Sequence, residues 1–122
     1  MKIGPRDLVE RTFRFAQAVR GFVNRMPRVP SNYEDSRQLV RSSGSVAANY
    51  LEAQEGLSRK DFFYRIKVCK KEARESGLWL RLVELGQDAA LAEERDRLVK
   101  EADELKLIFA AIAAKDDTDG AA

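Results

Sequence analysis

The sequence predicts an all-α protein, an antiparallel up-down-up-down four-helix bundle spanning residues 1–115. Three observations predict it. Apolar residues recur at alternating three- and four-residue intervals along four separate segments, which places them on one stripe of each helix. Pro27 with Pro30, Gly56 and Gly86 punctuate the chain between those segments. No stretch alternates with the two-residue period of a strand. Amphipathic helices of roughly 20 to 27 residues joined by short loops bury their stripes together as antiparallel neighbours.

The first helix carries Leu8, Thr12, Phe15, Val19, Phe22 and Met26 on one stripe, with Pro5 suited to its first turn. Pro27 and Pro30 stop it. Ser31 then offers an N-cap with Glu34 three residues on, so a second helix is expected from Ser31 to about Gln54, facing inward through Leu39, Ser43, Val46, Tyr50 and Ala53. Gly56 closes that helix, and Ser58 with Asp61 opens the third. Its inner stripe reads Phe62, Ile66, Cys69, Ala73, Leu80 and Val83, with a bend or loosening expected at Ser76-Gly77, where glycine costs about 1 kcal/mol against alanine. After Gly86, Asp88 is a natural N-cap for the fourth helix, in which Leu91, Leu98, Leu105 and Ile112 lie seven apart with Ala102 and Phe109 between them. Residues 116–122 are polar and are expected to fray as a disordered tail.

Composition narrows the chemistry. A chain of 122 residues is one domain, able to bury roughly two thirds of its unfolded surface. It contains no histidine, so Ser-His-Asp and Cys-His nucleophile systems, His-bearing zinc sites and Glu-x-x-His di-iron sites are excluded. The seven glycines are scattered and form no phosphate loop. No catalytic residues, cofactor or metal are therefore expected. Cys69 is the single cysteine and sits in an apolar pattern, which reads as a buried reduced thiol. The apolar runs are too short to span a bilayer, and charge interrupts the N-terminus before a signal-peptide core, so a cytoplasmic protein without a membrane partner is expected.

Charge is segregated along the chain. Residues 1–81 hold 17 Lys/Arg against 9 Asp/Glu, and residues 82–122 hold 5 against 11, so a +8 region precedes a −6 region. An excess of this kind suggests a basic surface for nucleic acid, unless the acidic helix covers it within the bundle. On the third helix Lys60, Lys67, Lys70, Lys71, Arg74 and Arg81 share an arc of about 100° at the helical 3.6-residue period. They are the candidate phosphate contacts. A different arc carries Glu72, Glu75 and Trp79, a mixture suited to a protein contact.

The stretch RSSGSVAANYLEA (residues 41–53) is unusually small and polar for a helix. Ser45, Asn49 and Glu52 line a polar stripe beside the apolar one, while Ser42, Ser43, Gly44, Ala47 and Ala48 let another helix approach. Either these are contacts inside one bundle or they form a subunit interface, with Asn49 and Glu52 at least partly buried and paired.

Two motifs in this region, RSSGSVAANYLEAQ and SRKDFFYRIKVCKKEARESGLWL, together resemble the signature of the 23S rRNA intervening-sequence proteins, a family of four-helix bundles. The resemblance covers residues 41–80, and the flanking helices agree in length. It is similar also to a branch that serves as accessory protein of diversity-generating retroelements. That likeness implies a homopentamer with a positive surface, binding nucleic acid and a protein partner, a reverse transcriptase. The expected function is a non-enzymatic homo-oligomer that binds structured RNA or DNA through a basic face; the alternative is a protein-binding adaptor with no nucleic-acid affinity.

Overall fold

The structure, a computed structural model, describes residues 5–120, with side chains described for residues 7–116. Four helices follow in chain order, α1 (Pro5–Asn24), α2 (Pro30–Glu55), α3 (Arg59–Leu82) and α4 (Ala89–Gly120), with no strand among the described residues. Each helix packs on two neighbours, so the order around the bundle is α1, α2, α3, α4 and back to α1. Cross-helix pairs show that neighbours run in opposite directions. Arg11 meets Glu101 and Glu104 while Arg25 meets Glu94, and Arg41 meets Glu72 while Arg65 meets Asn49.

All six residues predicted for the α1 stripe are buried, as are the five predicted for α2. The core continues through Ile66, Cys69, Ala73 and Leu80 of α3 and Leu98, Leu105 and Phe109 of α4. Tyr50 and Phe109 meet within it, ring centroids 5.8 Å apart, bridging the diagonal between α2 and α4 toward the Gly56 end of the bundle. Cys69 is fully buried against the Val46 carbonyl, 3.5 Å away, and burial pushes its thiol up to about 12. At neutral pH it stays protonated and serves as a small apolar side chain.

Caps explain most boundaries. The Asp61 N–H donates to the Ser58 hydroxyl at 3.0 Å, and the Leu91 N–H donates to the Asp88 carboxylate at 3.0 Å, as expected. Gly56 adopts φ 58°, a left-handed conformation that favours glycine, and its N–H closes α2 on the Ala53 carbonyl.

Four expectations are corrected. α2 starts at Pro30, one residue earlier than predicted, and Val29 takes the N-cap position without a side-chain bond. Proline has the fixed φ and missing N–H that suit a first helical position, which moves Ser31 inside the helix, where its hydroxyl donates to Glu84 at 3.3 Å. Nor does α3 break at Ser76-Gly77. Both residues are buried, and α4 packs opposite Gly77, where an added Cβ would make an ordinary contact with the Ala102 Cβ at 3.8 Å. Phe63 rather than Phe62 is buried at the start of α3, and near the end of α4 Ala113 is more deeply buried than Ile112. The segment 116–122, expected to fray, falls largely on residues whose side chains are not described; α4 extends to Gly120.

Asn32 escaped the sequence reading. It is 2% exposed, donates to the Pro27 carbonyl at 3.0 Å and the Glu84 carbonyl at 2.8 Å, and accepts from the Glu84 N–H at 2.9 Å. One side chain thus clasps the α1–α2 connection to the α3–α4 connection.

Candidate nucleic-acid interface

The unbroken α3 helix projects Lys60, Lys67, Lys70, Lys71, Arg74 and Arg81 to solvent, and all six are exposed. Lys67 alone has a carboxylate partner, Asp116 of α4 at 3.1 Å; the other five have none within ion-pair distance among the described residues. Asp116 also meets Arg59 at 3.5 Å, and Arg59 lies over the Phe63 ring, 4.8 Å from its centroid.

Three acidic residues of α4, Glu94, Glu101 and Glu104, pair with α1. Arg11 donates to both Glu101 oxygens at 2.7 Å and to Glu104 at 2.8 Å. The hydrogen bonds to Glu101 raise the Arg11 guanidinium above its ordinary value, so it remains a cation. Arg25 pairs with Glu94 at the other end of the same seam. Segregated charge in the sequence therefore becomes a zipper between α1 and α4, and the α3 stripe stays largely uncovered.

The polar residues between α2 and α3 form a second seam. Ser42 and Ser76, both fully buried, hold their hydroxyl oxygens 2.8 Å apart. Asn49 donates to the Ser45 carbonyl at 3.0 Å and the Ser45 hydroxyl at 2.9 Å, and accepts from Arg65 at 3.1 Å. Glu72 is 5% exposed and faces Arg41 at 3.2 Å, with Glu75 at 3.6 Å from the same guanidinium. Trp79 is half-buried against the core, its indole nitrogen enclosed without an acceptor. Thus Ser45, Asn49, Glu72 and Glu75 join the intrachain seam. Glu52 does not. It lies one turn beyond Asn49, rotated outward from the core, and is exposed without an ion-pair partner among the described residues.

The small residues of α2 divide. Ser42 and Ser43 are buried in the bundle, and Gly44 makes room for Arg20 of α1, whose guanidinium would lie 3.2 Å from a Cβ there. Ala47 instead lines a shallow groove between α1 and α2 with Val9, Phe13 and Leu51. Phe13 and Leu51 are each more than half exposed, an apolar patch that the stripe reading missed because both lie off the inner faces. Tyr64 was missed too, although its spacing from Lys60 and Lys67 sets it among the basic residues.

A four-helix bundle with an uncovered basic row on α3 is the class that fold and surface define. The sequence model of the 23S rRNA-intervening sequence proteins matches residues 6–111, and the chain belongs to that family. It is similar to a crystal structure of a protein of unknown function from the S23 ribosomal protein family of Bacteroides thetaiotaomicron. The two share 24% identity with a TM-score of 0.75, over 87% of this chain and 97% of that one, a likeness that establishes the fold. No curated protein matches the sequence. Among the described residues, no helix is long and apolar enough to cross a membrane.

Proposed function

We propose that this protein is a non-enzymatic, homo-oligomeric bundle of the cytoplasm that binds structured RNA or DNA through the basic row of α3. The observation that carries the proposal is the pairing of α4 with α1, beside which Lys60, Lys70, Lys71, Arg74 and Arg81 have no carboxylate within ion-pair distance among the described residues. Such side chains displace condensed counterions from phosphates, which gives salt-sensitive affinity with little base readout. The family's name, which refers to ribosomal RNA, supports the same reading. The adaptor alternative is less well supported, because the carboxylates of α3 face Arg41 of the same chain. A protein partner beside the nucleic acid, such as a reverse transcriptase, is compatible with the surfaces left open.

Replacing Lys70, Lys71 and Arg74 together by Glu should weaken binding to structured RNA and duplex DNA alike. The log–log salt slope should fall by roughly 0.7 to 0.9 for each phosphate that is no longer neutralised. Gel-shift titrations at low and moderate salt measure both, with circular dichroism to confirm folding. Wild-type affinity in the folded triple variant, or no binding by wild type at low salt, would overturn the proposal.

Oligomerisation rests on the apolar groove of Phe13, Ala47 and Leu51, which a second copy would cover. A ring, a pentamer by the family resemblance, would multiply weak phosphate contacts. Light scattering of wild type should give a mass several times 13.8 kDa, and Leu51→Glu should reduce it to that of one chain. A monomeric wild type sinks this part of the proposal.

A further inference from the structure

We infer that Tyr64 is a stacking platform for an unpaired nucleobase, so that the α3 row favours single-stranded segments over continuous duplex; the inference rests on the nucleic-acid reading above. Lys60, Tyr64, Lys67 and Lys71 follow a 4-3-4 spacing and form one line along α3. Over those residues the helix rises about 16 Å, long enough for several phosphates to lie beside it. Tyr64 is 59% exposed, so it contributes little to the core and opens to solvent among the lysines.

The ring is also held. The Arg65 guanidinium lies over it, 5.6 Å from the ring centroid. Arg65 is itself fixed by the Asn49 side-chain oxygen at 3.1 Å and by Asp61 at 3.7 Å, and Asn49 is fixed by Ser45. A chain of contacts beginning on α2 therefore orients an aromatic ring on the outer face of α3. A fixed ring flanked by cations on one line is the arrangement that binds unpaired nucleotides: the cations take phosphates and the ring takes a base face. In a continuous duplex the base faces are already stacked, and the ring has nothing to meet.

The test compares wild type, Tyr64→Ala and Tyr64→Phe by fluorescence anisotropy. The probes are a short single-stranded RNA, a single-stranded DNA of the same sequence, and the two corresponding duplexes. Circular dichroism checks folding and light scattering checks assembly. Tyr64→Ala should weaken single-strand binding roughly 5- to 150-fold, the loss of one stacked base. Its duplex affinity should hold, and Tyr64→Phe should bind as wild type. The two single strands should respond alike if the ring reads only a base face, whereas a loss confined to RNA would assign the tyrosine hydroxyl to the ribose and overturn the stacking role. Unchanged single-strand affinity in Tyr64→Ala, or an equal loss on duplex, overturns the inference while leaving phosphate binding by α3 intact. A fall in assembly mass in Tyr64→Ala assigns the ring to a subunit contact and overturns it likewise. If wild type binds none of the probes, the nucleic-acid reading fails first.

Discussion

Phe109→Ala should lower unfolding stability by about 3–5 kcal/mol, the range for emptying a fully buried aromatic site. Phe109 is 0% exposed and meets Tyr50 across the diagonal between α2 and α4, so its removal leaves a cavity inside the core. Because the helices are held apart along the bundle by the rest of a close-packed core, they collapse only partly into the space. Against a total stability of roughly 5–15 kcal/mol, such a loss removes a large share of it. Urea unfolding followed by the fluorescence of Trp79, the single tryptophan, measures the change. A loss below about 1 kcal/mol would mean that the Tyr50–Phe109 contact does not sit in a close-packed part of the core.

Asn32→Asp should cost about 2–4 kcal/mol at neutral pH, although it changes the side-chain shape very little. One oxygen of the introduced carboxylate can still accept from the Glu84 N–H. The other replaces an amide nitrogen that donated to two carbonyls, Pro27 and Glu84, and so faces two acceptors with no proton to share. With 2% exposure, water cannot compensate. Burial without a donor to its second oxygen favours the protonated acid, so the folded-state value of the introduced carboxyl lies above its unfolded value near 4. The deficit is therefore smallest below that unfolded value and grows as pH rises through the folded one. Thermal melts of both proteins from acid to neutral pH follow it. A deficit under about 0.5 kcal/mol at every pH would refute the clasp.

The helices and most caps were legible because their signals are local. The α1 stripe, Ser58 and Asp88 each depend on residues within a turn or two, and the structure agrees at all of them. Ser76-Gly77 misled because the low helix propensity of glycine is a weak local preference, outweighed here by the packing of both residues into the core. That packing depends on α4, whose Ala102 lies opposite Gly77. Asn32 was illegible for a related reason: its partner Glu84 lies 52 residues away, and near a helix start an asparagine reads as ordinary turn chemistry. In the candidate interface, the basic arc of α3 could be read from spacing alone. That Glu94, Glu101 and Glu104 of α4 pair with Arg25 and Arg11, leaving Asp116 alone to meet that arc at Lys67 among the described residues, could not, since it depends on how α4 is rotated about its axis.

The clasp at Asn32 gives the bundle unequal poles. At its pole two interhelix connections are tied to each other by three hydrogen bonds, and Arg25–Glu94 adds a further tie between α1 and α4. The opposite pole has the short Gly56–Ser58 connection, with Leu57 86% exposed. Local opening follows the weaker ties, so hydrogen exchange should be slowest for backbone amides around Asn32 and faster toward Gly56. Lys60 and Tyr64 lie in the first turns of α3, on the soft pole. The stiff pole keeps the four helices in register.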